Sequence, residues 1–385
     1  MSIKVYFNKF GSLLLQIFAF LLGFRSTIGQ SFFGNSILLK LITLIIWGGI
    51  LFTYFLDSYR IIDFIKILFL FILGFLIQKT SGIDTVIYNF IFLIAVKNHK
   101  LEPILKANFW GILLAFIIVV LSSQLGIIQT RIMDGGNSLG FTNPNCVSNF
   151  TSILLVNYVL RNYYKIKMHN IVSIFFVVLL IYVICKSRTG LILDLVLVLG
   201  LFLFKTVKIS KKLFKRLIFL FCFIALVLGL VGVFLCNIVP FFTKMNQILS
   251  GRYVQAQILL FKYGLHPFGS FVEELDDASR VKLIESLGVS NVPLCDNGYA
   301  RLLIQYGIVY LIFYIFTFWK TIGLYRNNNQ FSYLLPLLLV LVATISETFW
   351  LNVNYCILYL CLSKWIFNKN RLHASKLFSI VFKVF

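Results

Sequence analysis

Residues 217–239 read LIFLFCFIALVLGLVGVFLCNIV, which is 23 residues without one Lys, Arg, Asp or Glu. A helix that crosses the hydrocarbon core of a bilayer needs roughly 20 consecutive apolar residues. Inside the bilayer the backbone has to pair its own polar groups, which favours a helix for a run of this length. The stretch therefore predicts a membrane-spanning helix.

Similar apolar runs recur along the whole chain of 385 residues, which is 60% hydrophobic and only 12% charged, unlike a soluble globular domain. The short alternating segments of a membrane β-barrel do not appear. We predict one all-α integral membrane domain over residues 1–385 with about 12 transmembrane helices. The predicted spans are 10–24, 37–56, 61–77, 83–96, 108–128, 146–160, 170–185, 190–207, 217–239, 299–319, 331–346 and 349–367.

The formal net charge is +22, but the basic residues fall in short clusters between the apolar runs rather than on one face of a soluble module. They therefore predict membrane topology and not nucleic-acid binding. Lys and Arg accumulate in cytoplasmic loops. Placing both termini in the cytoplasm puts the dense clusters at 205–216 and 364–383 on the inner side, so we predict that orientation.

A long segment, residues 240–298, separates the ninth and tenth predicted spans and is predicted to be one large extracytoplasmic loop. Short helices are predicted at 252–264 and 278–287, with a turn at His266-Pro267-Phe268-Gly269 between them. His266 is the only histidine predicted outside, and the acidic run 273–277 is expected to be a solvated surface. We therefore predict no metal site.

Polar groups at the outer ends of the spans are the expected places for chemistry, because they cost a few kcal/mol near the bilayer centre. Four clusters qualify: GFTNPN at 140–145, KSRTG at 186–190, SGRY at 250–253 and DNGYAR at 296–301. In the first, Pro144 is predicted to begin a helix whose free N–H groups attract anions. The second cluster places two cations, Lys186 and Arg188, on the outer side, where the positive-inside rule predicts few. Either a bound anion or contact with lipid headgroups would explain their position.

The third and fourth clusters carry the residue types that phosphate and sugar binding require. Arg252 is able to pair bidentately with a phosphate, and Tyr253 to stack on a sugar. Asp296 beside Asn297 is either a base with a hydroxyl-binding partner or simply a helix N-cap. Glu347, predicted outside between the last two spans, is expected to pair with one of the arginines.

The order of these motifs is more specific than any one of them. Asn143-Pro144-Asn145, then SRTG at 187–190, then SGR at 250–252 leading to HPFG at 266–269, then DNGY at 296–299, with Gly307 downstream, resembles the Wzy-type polysaccharide polymerases and the related O-antigen ligases. The resemblance implies a GT-C-like glycosyltransferase in the bacterial cytoplasmic membrane, with its active site on the extracytoplasmic side.

Such an enzyme would polymerise undecaprenyl-pyrophosphate-linked oligosaccharide repeat units into capsule, O-antigen or exopolysaccharide, without a cofactor. The lipid-linked oligosaccharides would be donor and acceptor, and the resemblance also implies membrane lipids, a flippase and a chain-length regulator as partners. Arg188 and Arg252 match the family's external arginines, which hold pyrophosphate. Asp296 stands where many ligases carry His, which disfavours ligation and leaves the general base open.

The remaining candidates for substrate binding are Asn143, Asn145, Lys186, Tyr253, His266, Asn297, Tyr299, Arg301 and Glu347. Two alternatives to a polymerase stay open: an O-antigen-type ligase, and a flippase or other transporter of lipid-linked oligosaccharides. A transporter is expected to place cations along a cavity open to both sides. The middles of the predicted spans carry little charge apart from Asp194, and the chain lacks the internal repeat of many transporters.

Overall fold

The computed structural model describes residues 3–34, 36–57, 59–133, 135–206, 211–273, 296–328 and 330–367. Nearly all of the regular structure in these ranges is helical. The exception is a short antiparallel hairpin in which β1 (Ile132–Met133) pairs with β2 (Gly136–Asn137). The predicted helix at 278–287 and most of the acidic run lie outside the described residues.

α-Helices make up most of the described chain, and many of them are joined by short connections. They are α1 (Ile3–Gly29), α2 (Ile37–Phe52), α3 (Ile61–Ser81), α4 (Thr85–Ala95), α5 (Leu101–Gln124), α6 (Pro144–Asn162), α7 (Met168–Cys185), α8 (Arg188–Thr206), α9 (Lys211–Leu226), α10 (Gly232–Leu235), α11 (Pro240–Ile248), α12 (Arg252–Tyr263), α13 (Gly298–Ile304), α14 (Gly307–Asn327), α15 (Phe331–Ser346) and α16 (Leu362–Ile366).

Across the part of the chain that the structure describes, 8 helical stretches are long and apolar enough to cross a membrane. They are Lys9–Gly29, Ile37–Leu56, Ile61–Ser81, Leu101–Gln124, Met168–Cys185, Arg188–Thr206, Arg216–Leu235 and Gly307–Asn327. Many of their outward-facing side chains, such as Leu44, Phe64 and Phe176, are large, apolar and exposed, as a lipid-facing surface requires. The all-α membrane class predicted from the sequence is thereby confirmed.

The four other predicted spans coincide with shorter or more polar segments. The 11 residues of α4 extend only about 17 Å at 1.5 Å per residue, against a hydrocarbon core of about 30 Å. The helix α6 has 19 residues but buries polar side chains such as Asn149 and Asn157. The segments 331–346 and 357–366 are shorter apolar helices.

The boundary of the tenth predicted span, 299–319, is corrected by the structure. The chain forms the short helix α13, ends it at Ile304, and begins the long helix α14 only at Gly307, which has φ of 88°. Backbone N–H groups of Ile308 and Val309 donate to carbonyls of the HPFG turn, at 3.2 and 3.0 Å. The HPFG turn therefore stabilises the start of α14 through these hydrogen bonds.

A π-helical segment, Val227–Val231, interrupts the helix between α9 and α10 and leaves carbonyl groups available to side chains. The Tyr253 hydroxyl donates to the Leu228 carbonyl oxygen at 2.6 Å. The Asn297 side-chain amide donates to the Gly229 carbonyl oxygen at 3.3 Å. The beginnings of α12 and α13 are thus both anchored to one short stretch of the bundle.

Close backbone packing joins α1 to α5, and small residues make it possible. The side-chain amide of Asn108 in α5 donates to the Ala19 carbonyl oxygen of α1 at 3.0 Å. About one turn further along α5, a methyl group on Gly111 would overlap the Phe20 carbonyl oxygen. Only glycine fits at this point because the neighbour is backbone, which cannot rotate away.

We expect Gly111→Ala to lower the thermal unfolding midpoint, because overpacking of this kind typically costs about 1–3 kcal/mol. The measurement is thermal unfolding of the purified protein in detergent. Gly323→Ala in α14 is the matched control, since an added Cβ there has no neighbour within 4 Å. Equal midpoints in the two variants would contradict the α1–α5 contact.

Candidate functional site

A polar cavity of about 320 Å³ opens at one end of the bundle, within the range typical of small-molecule sites. Its walls come from the end of α1, the starts of α4, α6 and α12, the helix α13, and the segment that follows α15. These termini share one end of the bundle because successive spans alternate in direction. The lining residues are Gln30, Thr85, Asn143, Asn145, Cys146, Asn149, Arg252, Asp296, Arg301, Tyr306, Glu347, Thr348, Phe349, Asn352 and Tyr355.

The lining is unusually polar for a chain of this composition, being dominated by amide and hydroxyl side chains with a few charges. Amides both donate and accept hydrogen bonds, so they suit ligands that carry many hydroxyl groups. The rings of Phe349 and Tyr355 stack with centroids 4.0 Å apart and give the same wall an aromatic patch. The cavity is therefore suited to a polyhydroxylated ligand with an apolar face.

Arg252 is the best-supported charge in the cavity and is only 6% exposed. Its Nη2 atom lies 2.9 Å from Glu347 Oε1, and its Nε atom lies 3.8 Å from Asp296 Oδ2. Its Nη1 atom donates to the carbonyl oxygen of Ser346. One guanidinium thus joins the beginning of α12 to the end of α15 and to the start of the 296–301 motif.

Glu347 is the inner carboxylate of this group and is held on several sides. The Thr189 hydroxyl donates to its Oε1 atom at 3.4 Å, and the Asn149 side chain hydrogen-bonds to it as well. Burial raises the pKa of Glu347 above its ordinary value, Arg252 opposes the shift, and the charge of Asp296 adds to it. Glu347 therefore gains a proton at higher pH than a solvated glutamate does.

Asp296 is the outer carboxylate, and 40% of its side chain is exposed. It lies at the opening of the cavity and keeps one edge toward solvent, whereas the Glu347 side chain is 13% exposed. The two carboxylates therefore differ in access to a ligand. Asp296 is placed to meet a ligand group directly, and Glu347 is placed to hold Arg252.

The local sequence explains how Arg252 enters the cavity. Ser250 and Gly251 both adopt positive φ, at 56° and 81°, so the chain turns sharply before α12 begins. The side-chain oxygen of Asn246 then accepts hydrogen bonds from the N–H groups of Tyr253 and Val254, at 2.9 and 3.2 Å. The helix predicted at 252–264 is confirmed as α12, which ends before Gly264.

The first motif builds the opposite wall through a helix start that the sequence predicts. Asn143 caps α6 by accepting a hydrogen bond from the Cys146 N–H at 3.0 Å, and Pro144 occupies the first helical turn. Asn145 and Asn149 then present amides to the cavity from this same helix. The predicted helix start at Pro144 is confirmed.

Half of the site residues predicted from the sequence line the cavity and half do not. Those in the lining are Asn143, Asn145, Arg252, Asp296, Arg301 and Glu347. Those outside it are Lys186, Arg188, Tyr253, His266, Asn297 and Tyr299.

Three of the residues outside the lining are fully buried and hold the site residues in place. Tyr253, Asn297 and Tyr299 follow or flank Arg252 and Asp296 in the chain, and each donates a hydrogen bond to a backbone carbonyl. Asn297 also caps α13 by accepting from the Ala300 N–H at 3.0 Å. The expected stacking of Tyr253 on a sugar does not fit this packing, because its ring lies against Gly232.

The other three lie at the surface. Arg188 begins α8 and is exposed, although its neighbour Thr189 contacts Glu347. Lys186 has φ of 53°, with its ammonium 5.8 Å from the centre of the Tyr182 ring. His266 is exposed, and its Nε2 atom lies 3.0 Å from the Tyr263 carbonyl oxygen.

Several lining residues come from parts of the chain in which we predict no site. Gln30 follows the first span, and its amide donates to the Tyr355 hydroxyl at 2.7 Å, across 325 positions of sequence. Asn352 and Tyr355 lie in the segment after α15, which hydropathy predicts to be part of the span 349–367. The signal that would have indicated them is the presence of amides immediately outside apolar runs at the same end of the bundle.

Comparison of the chain with models of protein families, with curated proteins and with solved structures finds no match. The fold and the site define an all-α membrane protein with a charged, amide-rich cavity at one end of its bundle. Its function therefore has to be inferred from the chemistry of that cavity.

The Arg252–Glu347 pair is expected to be strongly coupled, because removing one partner leaves the other buried without its nearest counter-charge. We expect Glu347→Ala to lower the free energy of unfolding by about 3 kcal/mol or more. Replacing both partners, as Arg252→Met with Glu347→Leu, should recover most of that loss, since apolar replacement of a buried pair is often neutral.

A double-mutant cycle on the free energy of unfolding in detergent measures this coupling. The exposed Arg131 lies in the connection before α6, and Arg131→Met is the control for loss of a cation. Simple addition of the two single losses in the double variant would show that Arg252 and Glu347 are not coupled.

Proposed function

We propose that the protein is a membrane glycosyltransferase of the Wzy type, which polymerises undecaprenyl-pyrophosphate-linked oligosaccharide repeat units into surface polysaccharide. The observation that carries the proposal is the position of Arg252, buried between two carboxylates in an amide-rich cavity. The ordered motifs of the sequence support it, because the first, third and fourth each contribute residues to this cavity and the second contacts Glu347 through Thr189.

The proposal includes an orientation and a full set of spans. We infer a GT-C-like arrangement of about 12 crossings in the bacterial cytoplasmic membrane, with both termini in the cytoplasm and the cavity on the extracytoplasmic side. Lys205 supports the orientation, because it lies in the last turn of α8, whose first turn contacts Glu347 of the cavity through Thr189.

The reaction breaks the bond between the anomeric carbon of the donor glycan and its diphosphate oxygen. A new bond forms between that carbon and a hydroxyl oxygen of the acceptor glycan, so the donor chain moves to the acceptor. The hydroxyl proton passes to a carboxylate, and undecaprenyl diphosphate leaves with the bonding electron pair. A cation beside the leaving oxygen stabilises the charge that develops there.

Arg252 has the position for this cation, since it is fixed in the cavity and its charge is already surrounded by acceptors that hold its orientation. A preorganised group of this kind need not reorganise during the reaction. Asp296, which is accessible at the opening, is proposed to accept the proton. Glu347 is proposed to position Arg252 rather than to touch substrate.

The cavity amides and the aromatic patch are proposed to hold the sugars near the reacting bond. Asn143, Asn145, Asn149 and Asn352 offer donors and acceptors for several hydroxyl groups at once. The undecaprenyl chains would remain in the bilayer beside the apolar surface of the spans. A lipid-linked substrate would thus have its sugars in the polar cavity and its lipid chain beside the apolar surface of the spans.

We expect Arg252→Ala to lower chain elongation by about 30-fold or more, corresponding to about 2 kcal/mol of lost transition-state stabilisation. The measurement is incubation of the purified protein with a defined lipid-pyrophosphate oligosaccharide, followed by the length distribution of the product ladder. Arg131→Ala serves as the control, because Arg131 is an exposed cation outside the cavity.

If Arg252→Ala forms a product ladder of wild-type length at equal protein level, Arg252 does not belong to the active site. The sequence predicts a comparable loss for Arg188→Ala. That variant tests whether the exposed Arg188 reaches substrate although it does not line the cavity.

Elongation is expected to fall in acid, because the raised pKa of Glu347 means that its negative charge is lost as pH drops through that value. Neutral Glu347 holds Arg252 less firmly. The acidic limb of the pH–rate profile should therefore lie at a higher pH than the pKa of an ordinary glutamate would give. In Glu347→Gln the rate should be lower throughout, and the remaining limb should move to lower pH. An unchanged limb in a pH–rate profile of this variant would argue against the role of Glu347.

A further inference from the structure

The helix α12 is apolar on the side that faces away from the bundle, although it lies outside the predicted spans. Its inner side packs on the bundle through Arg252, Ala256 and Leu259, which are buried. Its outer side exposes Ile258 and Phe261, and Phe261 is 82% exposed. A surface helix that stands in water presents polar side chains outward, so these two positions require an apolar environment.

Two residues that follow α12 extend this apolar surface. Leu265, four positions after Phe261, is exposed. Phe271 is exposed too, and its ring lies 3.0 Å from the position that a Cβ on Gly82, at the end of α3, would occupy. We call Ile258, Phe261, Leu265 and Phe271 the apolar patch. A group of large exposed apolar side chains marks a surface that contacts protein or membrane.

The hydrogen bonds at the two ends of α12 show that it runs across the end of the bundle where the cavity opens. At its start, Arg252 donates to the Ser346 carbonyl oxygen at the end of α15. Just after its end, the Phe268 carbonyl oxygen accepts from the Thr80 hydroxyl in the last turn of α3, at 2.6 Å. The 12 residues of α12 bridge about 18 Å between these points at 1.5 Å per residue.

The helices that hold the far end of α12 are two of the spans, which sets its level relative to the bilayer. These spans are α3 and α14, which begin or end at this point, at Ser81 and Gly307. The ends of a span lie near the bilayer surface. Phe75 on α3 and Ile312 on α14 are exposed and belong to the lipid-facing surface. The apolar patch therefore continues that surface at the level of the headgroups.

Cations border the apolar patch. Lys262 and Lys79 are exposed, one beside Phe261 in α12 and the other in the last turn of α3. The Lys262 ammonium lies 5.0 Å from the centre of the Tyr263 ring. Lysines and an aromatic ring beside apolar side chains are typical of helices that lie in the interface of an anionic bilayer.

We propose that α12 is an interfacial helix whose apolar patch enters the boundary between lipid headgroups and acyl chains, while Lys262 and Lys79 meet anionic headgroups. Because Arg252 begins the same helix, this lipid contact also sets the depth of the cavity opening in the bilayer. The contact concerns the surrounding lipid rather than the ligand of the cavity. It therefore goes beyond the proposed function and holds for any reaction at that site.

A second copy of the chain or a soluble partner would also cover an apolar patch. Neither accounts for its level at the ends of two spans, where lipid contacts every surface that protein leaves uncovered. Neither accounts for the lysines at its edge, which match the negative charge of anionic lipid. The lipid bilayer is therefore the occupant that the contacts and charges favour.

The test attaches a nitroxide spin label to Phe261→Cys in the full-length protein, reconstituted in vesicles of phosphatidylglycerol and phosphatidylcholine. Cys295→Ser is the background, since the six cysteines of the described residues are buried. Electron paramagnetic resonance then measures how often the label collides with oxygen, which dissolves in lipid, and with a water-soluble nickel chelate. References are labels at Ile72, exposed on α3, and at Asn145, exposed in the polar cavity.

We expect the ratio of oxygen to nickel collisions at position 261 to exceed that at Asn145 and to approach that at Ile72. It should correspond to a depth of about 5–10 Å, the usual insertion of an interfacial helix. Ile258→Cys repeats the measurement one turn earlier and should give a similar depth. A label at Lys262→Cys, at the edge of the apolar patch, should lie shallower.

Three results would overturn the proposal. A ratio at 258 and 261 equal to that at Asn145 would place this side of α12 in water. Few collisions with either reagent, together with dipolar broadening between labels, would assign the apolar patch to a contact between two copies. Few collisions without broadening would show that other residues of the same chain cover it.

Discussion

The burial of one guanidinium group constrains this end of the molecule more than any other interaction. Removing a charge from water costs several kcal/mol, so Arg252 is stable in its position only with acceptors close around it. Glu347 and the Ser346 carbonyl provide them, and both lie where α15 ends. The requirement fixes the start of α12 against the end of α15, and the cavity opens beside these two termini.

The π-helical segment adds a second constraint of a different kind. A helix normally uses its own carbonyls, but the interruption at Val227–Val231 lets two of them accept hydrogen bonds from Tyr253 and Asn297. These residues are the immediate neighbours of Arg252 and Asp296. A local irregularity in one helix therefore sets the position of a cation and a carboxylate that lie 44 positions apart in the sequence.

Features determined by local sequence were predictable, and those determined by distant contacts were not. The cap and proline that begin α6 act within four residues, so GFTNPN indicates them directly. The burial of Tyr253 depends instead on Gly232, which leaves room for its ring, and on a free carbonyl that hydropathy does not reveal. Gln30 and Tyr355 meet only because the bundle brings together the two ends of the chain.

The contrast between cavity and bundle also limits the kinds of ligand that fit. A small apolar ligand would gain little from a lining of amides, and a free sugar would not need the lipid-facing surface of the adjoining spans. A glycan attached to a lipid through phosphate meets all three environments at once: amides for the glycan, guanidinium groups for the phosphate, and bilayer for the chain. The charges of Arg252, Arg301, Asp296 and Glu347 balance one another, so under the proposed function the position of Arg252 in the cavity, rather than the number of arginines in the motifs, would decide where a phosphate group is held.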